Sequence, residues 1–224
     1  QRDNAMPLIS ADMRLSYRDI GIADKRFGAL EIYADNGSYQ NVLNSLRENN
    51  AVTVSVALDI ERHERFTDFL GGEMVRDLKR YLATNSPDEV EIDSIKSLKD
   101  FNNRDPDLRI PYGQSLVDMM ASINLTNEEV EQLRSELQGW GKRTLDRVFV
   151  ENNIDILVGI NNHQASVAAL ANYPALTIPM GYGEDGQPLG LTLIAPSFQE
   201  QLLIDAGAQL EKLINARQTP KRYR

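Results

Sequence analysis

The 224-residue chain has no cysteine, two histidines and one tryptophan. Without cysteine it has no disulfide, thiolate zinc site, iron-sulfur cluster or cysteine nucleophile. No apolar run approaches the roughly 18 residues that a membrane-spanning helix needs. Positive charge is also scarce: 24 basic residues face 33 acidic ones, a formal net charge of -9. That field opposes broad association with nucleic acid or with an anionic membrane, so neither is an expected partner. The opening stretch, residues 1–10, lacks the basic start and apolar core of an export signal. A reducing cytoplasm is compatible with the absence of cysteine and is the expected compartment.

The remaining composition is that of an ordinary globular chain. Hydrophobic residues make up 42% of it and the mean hydropathy is -0.40, enough for a sizeable core without a staple. We find no repeat and no low-complexity linker, and therefore read residues 1–224 as one domain. Asn36-Gly37 reads as a turn. Tyr39, Val42, Leu43 and Leu46 recur at helical spacing, and residues 51–58 fit a buried strand. A second helical stripe runs through Phe66, Leu70, Met74 and Leu78, where Gly71-Gly72 implies close packing or a bend. Its polar residues Glu73, Asp77 and Lys79 read as a solvated face. A long helix is expected over about 128–151, capped by Thr126 or Asn127, with strands at 154–158, 175–179 and 189–194 and a final helix over 198–214. This alternation predicts an α/β protein with a mixed or parallel sheet covered by helices.

Chemistry-bearing motifs are few. His63 precedes a glutamate but has no second histidine at zinc-site spacing, and its spacing from Asp59 only resembles that of an acid-base pair. The Gly181, Gly183 and Gly186 cluster matches neither a dinucleotide fingerprint nor a phosphate loop, so no cofactor and no metal are expected. No GxSxG elbow and no Gly-Ser-Ser stretch occur. The best candidate is the loop Gly159-Ile160-Asn161-Asn162-His163. It follows an expected strand, where open α/β sheets place ligands, and Asn161, Asn162 and His163 offer amide and imidazole groups. Loop packing and backbone capping are the alternative roles for the same residues. The basic ending, with Lys212, Arg217, Lys221, Arg222 and Arg224, fits helix C-terminal electrostatics better than RNA binding.

Residues 172–212 carry a more specific signal. Tyr173-Pro174-Ala175 is followed by a strand ending Ile-Pro179-x-Gly181, then Gly186-x-Pro188-x-Gly190-Leu191, then Phe198-x-Glu200 at a helix start. Upstream, Leu98, Phe101, Asn102, Gly113 and Gln114 fall in a matching order. This pattern resembles the C-terminal part of the amidase signature family, convincingly over about 73–217. The resemblance implies that Tyr173, Pro174, Pro179, Gly181, Gly186, Pro188, Gly190 and Glu200 are structural matches to the family. It further implies hydrolysis of carbon-nitrogen amide bonds by a Ser-cis-Ser-Lys triad.

That triad belongs to the family's N-terminal half, whose lysine and Gly-Ser-Ser segments do not occur in these 224 residues. The resemblance therefore implies a partial domain without catalytic residues of its own. It would supply sheet scaffold and a wall of the cleft for a small-molecule amide, and its partner would be the N-terminal half. The Gly159–His163 loop departs from the proline and small residue that many relatives carry there. Two other roles stay open: a noncatalytic interaction protein, with exposed strand edge covered by homo-oligomerisation, and a small-molecule binding module built on the same loop.

Overall fold

The computed structural model describes residues 15, 16, 18, 20–58, 63–87 and 89–219. The chain divides into two compact units, Gln1–Ile60 with Gly139–Arg224, and Glu61–Gln138.

The first unit is α/β. Strand β1 (Arg26–Leu30) leads through a 3-10 turn, Glu31–Tyr33, into α1 (Gly37–Glu48) and β2 (Val52–Val56). After the second unit come β3 (Ile156–Ile160), α7 (Ala165–Ala171), β4 (Ala175–Tyr182), β5 (Pro188–Ile194) and α8 (Glu200–Ile214). The sheet order is β2-β1-β3-β5-β4. Strands β2, β1 and β3 are parallel, while β5 runs antiparallel to both β3 and β4, so the sheet is mixed.

Alternation along the strands sorts side chains to two cores. Phe27, Ala29, Ile156, Val158, Leu191 and Leu193 pack with Tyr39, Val42 and Leu46 of α1 and with Leu203, Ala206 and Leu210 of α8. Leu30, Val56, Leu157 and Ile194 pack on the opposite side with Val167 and Ala168 of α7 and with Leu145, Val148 and Phe149. The last three belong to the C-terminal half of the long helix α6 (Asn127–Asn152).

Two sequence expectations change at this sheet. Asn36-Gly37 starts a helix instead of forming a free turn: the Asn36 side chain accepts the Tyr39 N–H at 2.9 Å, and Gly37 is the first residue of α1. Within residues 51–58 a strand does form, at Val52–Val56, but not a buried one. β2 is an edge strand, so a β-branched composition that reads as interior leaves Val52 39% exposed.

An additional tie closes over α8. The buried carboxylate of Asp205 accepts the Arg18 N–H at 3.1 Å and two guanidinium bonds at 3.1 and 2.7 Å, with the Gln201 amide donating at 2.9 Å. Burial pushes this carboxyl upward, but the bonds from Arg18 and Gln201 outweigh it and hold it below the usual carboxylate range. A depressed native value means stability that is present above the unfolded pKa, about 3.9, and lost as pH falls through the native one. The melting-temperature gap between the native chain and Asp205→Asn is therefore expected to be full at pH 7 and to close progressively below about pH 4. A gap that stays constant down to pH 3 would contradict this assignment.

The second unit is helical, with α2 (Phe66–Asn85), α3 (Ile95–Asn103), α4 (Pro106–Arg109), α5 (Ser115–Ser122) and the start of α6. Gly71 and Gly72 serve close approach. A Cβ at Gly71 would meet the Ile123 side chain at 2.8 Å, and one at Gly72 would meet Val130 at 2.9 Å. Thr126 caps α6 reciprocally: its hydroxyl accepts the Glu129 N–H at 3.2 Å while the Glu129 carboxylate accepts the Thr126 N–H at 2.8 Å. Glu73 is not on a solvated face as its spacing suggested. Its carboxylate takes two bonds from Arg134, at 2.7 and 2.6 Å, and lies 3.1 Å from Arg76, which also bonds Asp77 and Glu131. Among the described residues, no helix is long and apolar enough to cross a membrane.

Candidate functional site

Strands β1 and β3 lie side by side in parallel, but the chain leaves β1 toward β2 across the α1 face and arrives at β3 from α6 on the opposite face. Their carboxyl ends thus diverge at a switch point, the usual ligand position in open α/β sheets. Tyr39 holds this divergence. Its hydroxyl donates to the Val158 carbonyl at 2.8 Å and accepts the Leu30 N–H at 3.0 Å, bridging the two strands just beyond their last paired residues, Ala29 and Val158. Burial pushes the Tyr39 hydroxyl well above the ordinary tyrosine range, so it stays protonated and able to donate.

Tyr33 and Gln164 fill the space above Tyr39. The Gln164 amide donates to the Tyr33 hydroxyl at 2.9 Å, and the Tyr33 and Tyr39 rings meet edge-on at 5.6 Å. Gly159 makes room for this arrangement, because a Cβ there would come within 2.4 Å of the Gln164 Oε1. The His163 ring lies 6.1 Å from the Tyr33 ring, and both Asn162 and His163 are exposed.

The three loop residues therefore have different roles. Asn161 turns into the left-handed region, at φ 51, which asparagine tolerates better than most residues. Its N–H donates to the Gly190 carbonyl and its side-chain Oδ1 accepts the Gly190 N–H, both at 2.8 Å. The Thr192 hydroxyl bonds the Asn161 carbonyl and sits 2.7 Å from the Thr177 hydroxyl. The Asn161 N–H and Oδ1 together thus extend the β3–β5 ladder by one rung, the Oδ1 accepting in place of the backbone carbonyl, which Thr192 engages. Asn162 and His163 are exposed, with His163 beside Tyr33. Replacing Asn161 by alanine should cost about 1–3 kcal/mol, the range for orphaning a part-buried N–H plus left-handed strain. Urea unfolding checks this, and an unchanged midpoint would rule out the ladder role.

The residues singled out by the sequence resemblance lie in the same unit. Tyr173 is buried, with its ring 5.8 Å from Phe149 and its hydroxyl bonded to Asp146. That bond, opposed by burial and aided by Lys142, holds the Asp146 carboxyl low. The Pro174 carbonyl accepts the Ala195 N–H at 3.2 Å. Pro179 faces Gly190, a register irregularity lies between Pro179 and Gly181, and Gly186 (φ 79) turns the chain before Pro188 opens β5. Glu200 is the first residue of α8.

Other candidates fall away from this cluster. Asp59 lies outside the described residues, as do Lys221, Arg222 and Arg224. His63 precedes α2 in the helical unit, its Nε2 3.9 Å from Glu136. No group of three or more His, Asp or Glu side chains among the described residues is placed to hold a metal. Sequence reading missed Tyr33 and Gln164. Gln164 directly follows the candidate loop and was within reach, whereas Tyr33 is 131 positions away and no local pattern marks it.

Comparison with known proteins bears on the fold and on part of the sequence. No protein-family model matches the chain. A probable amidase from Arabidopsis thaliana is 24% identical over 110 residues, 49% of this chain and 22% of that protein. A component of the glutamyl-tRNA(Gln) amidotransferase of Zymomonas mobilis is 43% identical over 56 residues, 25% of this chain and 11% of that protein. The crystal structure of an amidase family protein from Bacillus anthracis superposes with a TM-score of 0.79 and 27% identity, covering 90% of this chain and 40% of that one. The chain therefore spans well under half the length of the proteins it matches. In fold, and in part of its sequence, it matches the amidase signature enzymes.

Proposed function

We propose that the chain is the C-terminal portion of an amidohydrolase that cleaves carbon-nitrogen amide bonds, and that it contributes sheet scaffold and one wall of the substrate cleft. One observation carries this reading: nine-tenths of the chain superposes on the Bacillus anthracis amidase family protein at 27% identity while accounting for 40% of it. The sequence contains no Gly-Ser-Ser stretch, so the nucleophile and its base come from an N-terminal half. In that assembly Asn162 and His163, both exposed after β3, contact a small-molecule amide, and Asn161 fixes their loop. Neither a cofactor nor a metal takes part.

The test compares two preparations, the 224-residue chain alone and the same chain joined to an upstream amidase half, on a panel of peptide, aryl and aliphatic amides. Ammonia or amine release is expected only from the joined protein, and His163→Ala in that protein should raise KM more than it lowers kcat. Release by the chain alone, proportional to its concentration and surviving repurification, would overturn the proposal.

A further inference from the structure

Asn36-Gly37 is the one Asn-Gly pair in the sequence, and nothing in the amidase reading uses it. In such a pair the glycine nitrogen has no Cβ beside it to screen it, and it can attack the asparagine side-chain amide of its own chain. The attack needs only water, so it depends neither on a partner nor on the function proposed above.

Three bonds converge on Asn36. Its N–H donates to the Tyr33 carbonyl at 3.0 Å, its carbonyl accepts the Gln40 N–H at 2.9 Å, and its side-chain Oδ1 accepts the Tyr39 N–H at 2.9 Å. Asn36 thus joins the 3-10 turn that carries Tyr33 to the first turn of α1, which carries Tyr39. Its backbone is extended, at ψ 112. At this angle the Gly37 nitrogen is turned away from the Asn36 Cβ about the Cα–C bond, whereas closing a five-membered ring onto Cγ needs the two nearly eclipsed. The rotation that aligns them breaks the bonds from Tyr39 and Gln40. Gly37 itself is exposed, and a Cβ there would meet nothing within 4 Å, so no packing at that residue opposes local opening.

We propose that Asn36 is a deamidation site gated by the cap of α1, and that its isoaspartyl product loosens the Tyr33–Tyr39 cluster. When the cap opens, the Gly37 nitrogen gives up its proton to water and bonds to the Asn36 Cγ, the Cγ–Nδ2 bond breaks, and Nδ2 leaves as ammonia. Water then opens the cyclic imide at either carbonyl. Opening at Cγ yields aspartate, with the main chain unchanged and a carboxylate in place to accept the Tyr39 N–H at the positive end of α1. Opening at the α-carbonyl yields isoaspartate. The main chain then runs through Cγ and is longer by a methylene, and neither the acceptor of Tyr39 nor that of Gln40 keeps its place. Tyr39 loses the anchor that sets its hydroxyl between Leu30 and Val158.

The test incubates the 224-residue chain and a peptide of residues 34–40 side by side at neutral pH, with mass spectrometry reading acid in place of amide at Asn36. The chain should deamidate about 5- to 150-fold more slowly than the peptide, the factor for opening two hydrogen bonds at their net worth. A ratio near one means that the cap gates nothing, and a ratio above that range means that the pair reacts only after wider unfolding; either overturns the proposal. Gly37→Ala, which the open space accommodates and a helix favours, should keep the fold and lose the reaction. Deamidation of that variant at the native rate would take the attack away from the Gly37 nitrogen and also overturns it. In the isoaspartyl fraction, separated by chromatography, the Leu30 amide should exchange hydrogen faster than in the native chain, while Asn36→Asp should leave it protected. Unchanged protection in the isoaspartyl fraction, or lost protection in Asn36→Asp, overturns the link to the cluster.

Discussion

Replacing Tyr39 by phenylalanine should destabilise the chain by about 2–4 kcal/mol, although it removes one oxygen atom from a ring that otherwise stays packed. The reason lies at the end of the β1–β3 ladder. Beyond Ala29 and Val158 the strands separate, and the Tyr39 hydroxyl fills the gap by accepting from Leu30 and donating to Val158. Phenylalanine leaves both backbone groups buried without a partner, at about 1–3 kcal/mol each, and partial closure or a trapped water recovers some of that. Chemical denaturation measures the loss. The slope with denaturant should be unchanged, because the folded and unfolded surfaces stay nearly the same. A Tyr39→Phe chain as stable as the native one would show that the strands can pair directly and that the hydroxyl is dispensable.

Leu193→Ala should cost about 2–5 kcal/mol, the range for deleting a fully buried leucine where neighbours cannot collapse. Leu193 is 0% exposed in β5, flanked in register by Val158 of β3 and Leu176 of β4. Its side chain belongs to the core that α1 and α8 close, so the cavity would be walled by two strands and by helices. Leu189, one of the partly buried residues at the rim of that core, provides the comparison, and its alanine variant should lose far less. Thermal unfolding of the two variants checks the ranking, and equal losses would contradict the central placement of Leu193.

The sequence revealed the sheet better than the site. Helix α1 was legible because Tyr39, Val42, Leu43 and Leu46 keep one spacing and all four are buried. The mixed sheet was legible because helices and strands alternate to the end. Exposure of β2 was not, since a β-branched run looks the same at an edge as in the interior until the strand order is known. Helix α7 was missed: Ala165–Ala171 is short and alanine-rich, and it follows a strand so closely that it reads as loop. Asn161, Asn162 and His163 were singled out from their position after a strand, which β3 supplies. That Asn161 spends its amide on Gly190 could not be seen, because Gly190 is 29 positions away. The solvated reading of Glu73 failed for the same reason, its guanidinium partner Arg134 lying 61 residues on. Long-range polar partners leave no periodic trace, whereas apolar faces do.

Our account holds that this chain shapes an amidase without containing its nucleophile. The most direct measurement is the sequence of the native polypeptide, captured from its source cells with an antibody to residues 139–219 and read by mass spectrometry. The account predicts a longer chain whose upstream peptides contain the lysine and Gly-Ser-Ser segments. A native polypeptide of 25.2 kDa without them would contradict it and would favour the noncatalytic reading.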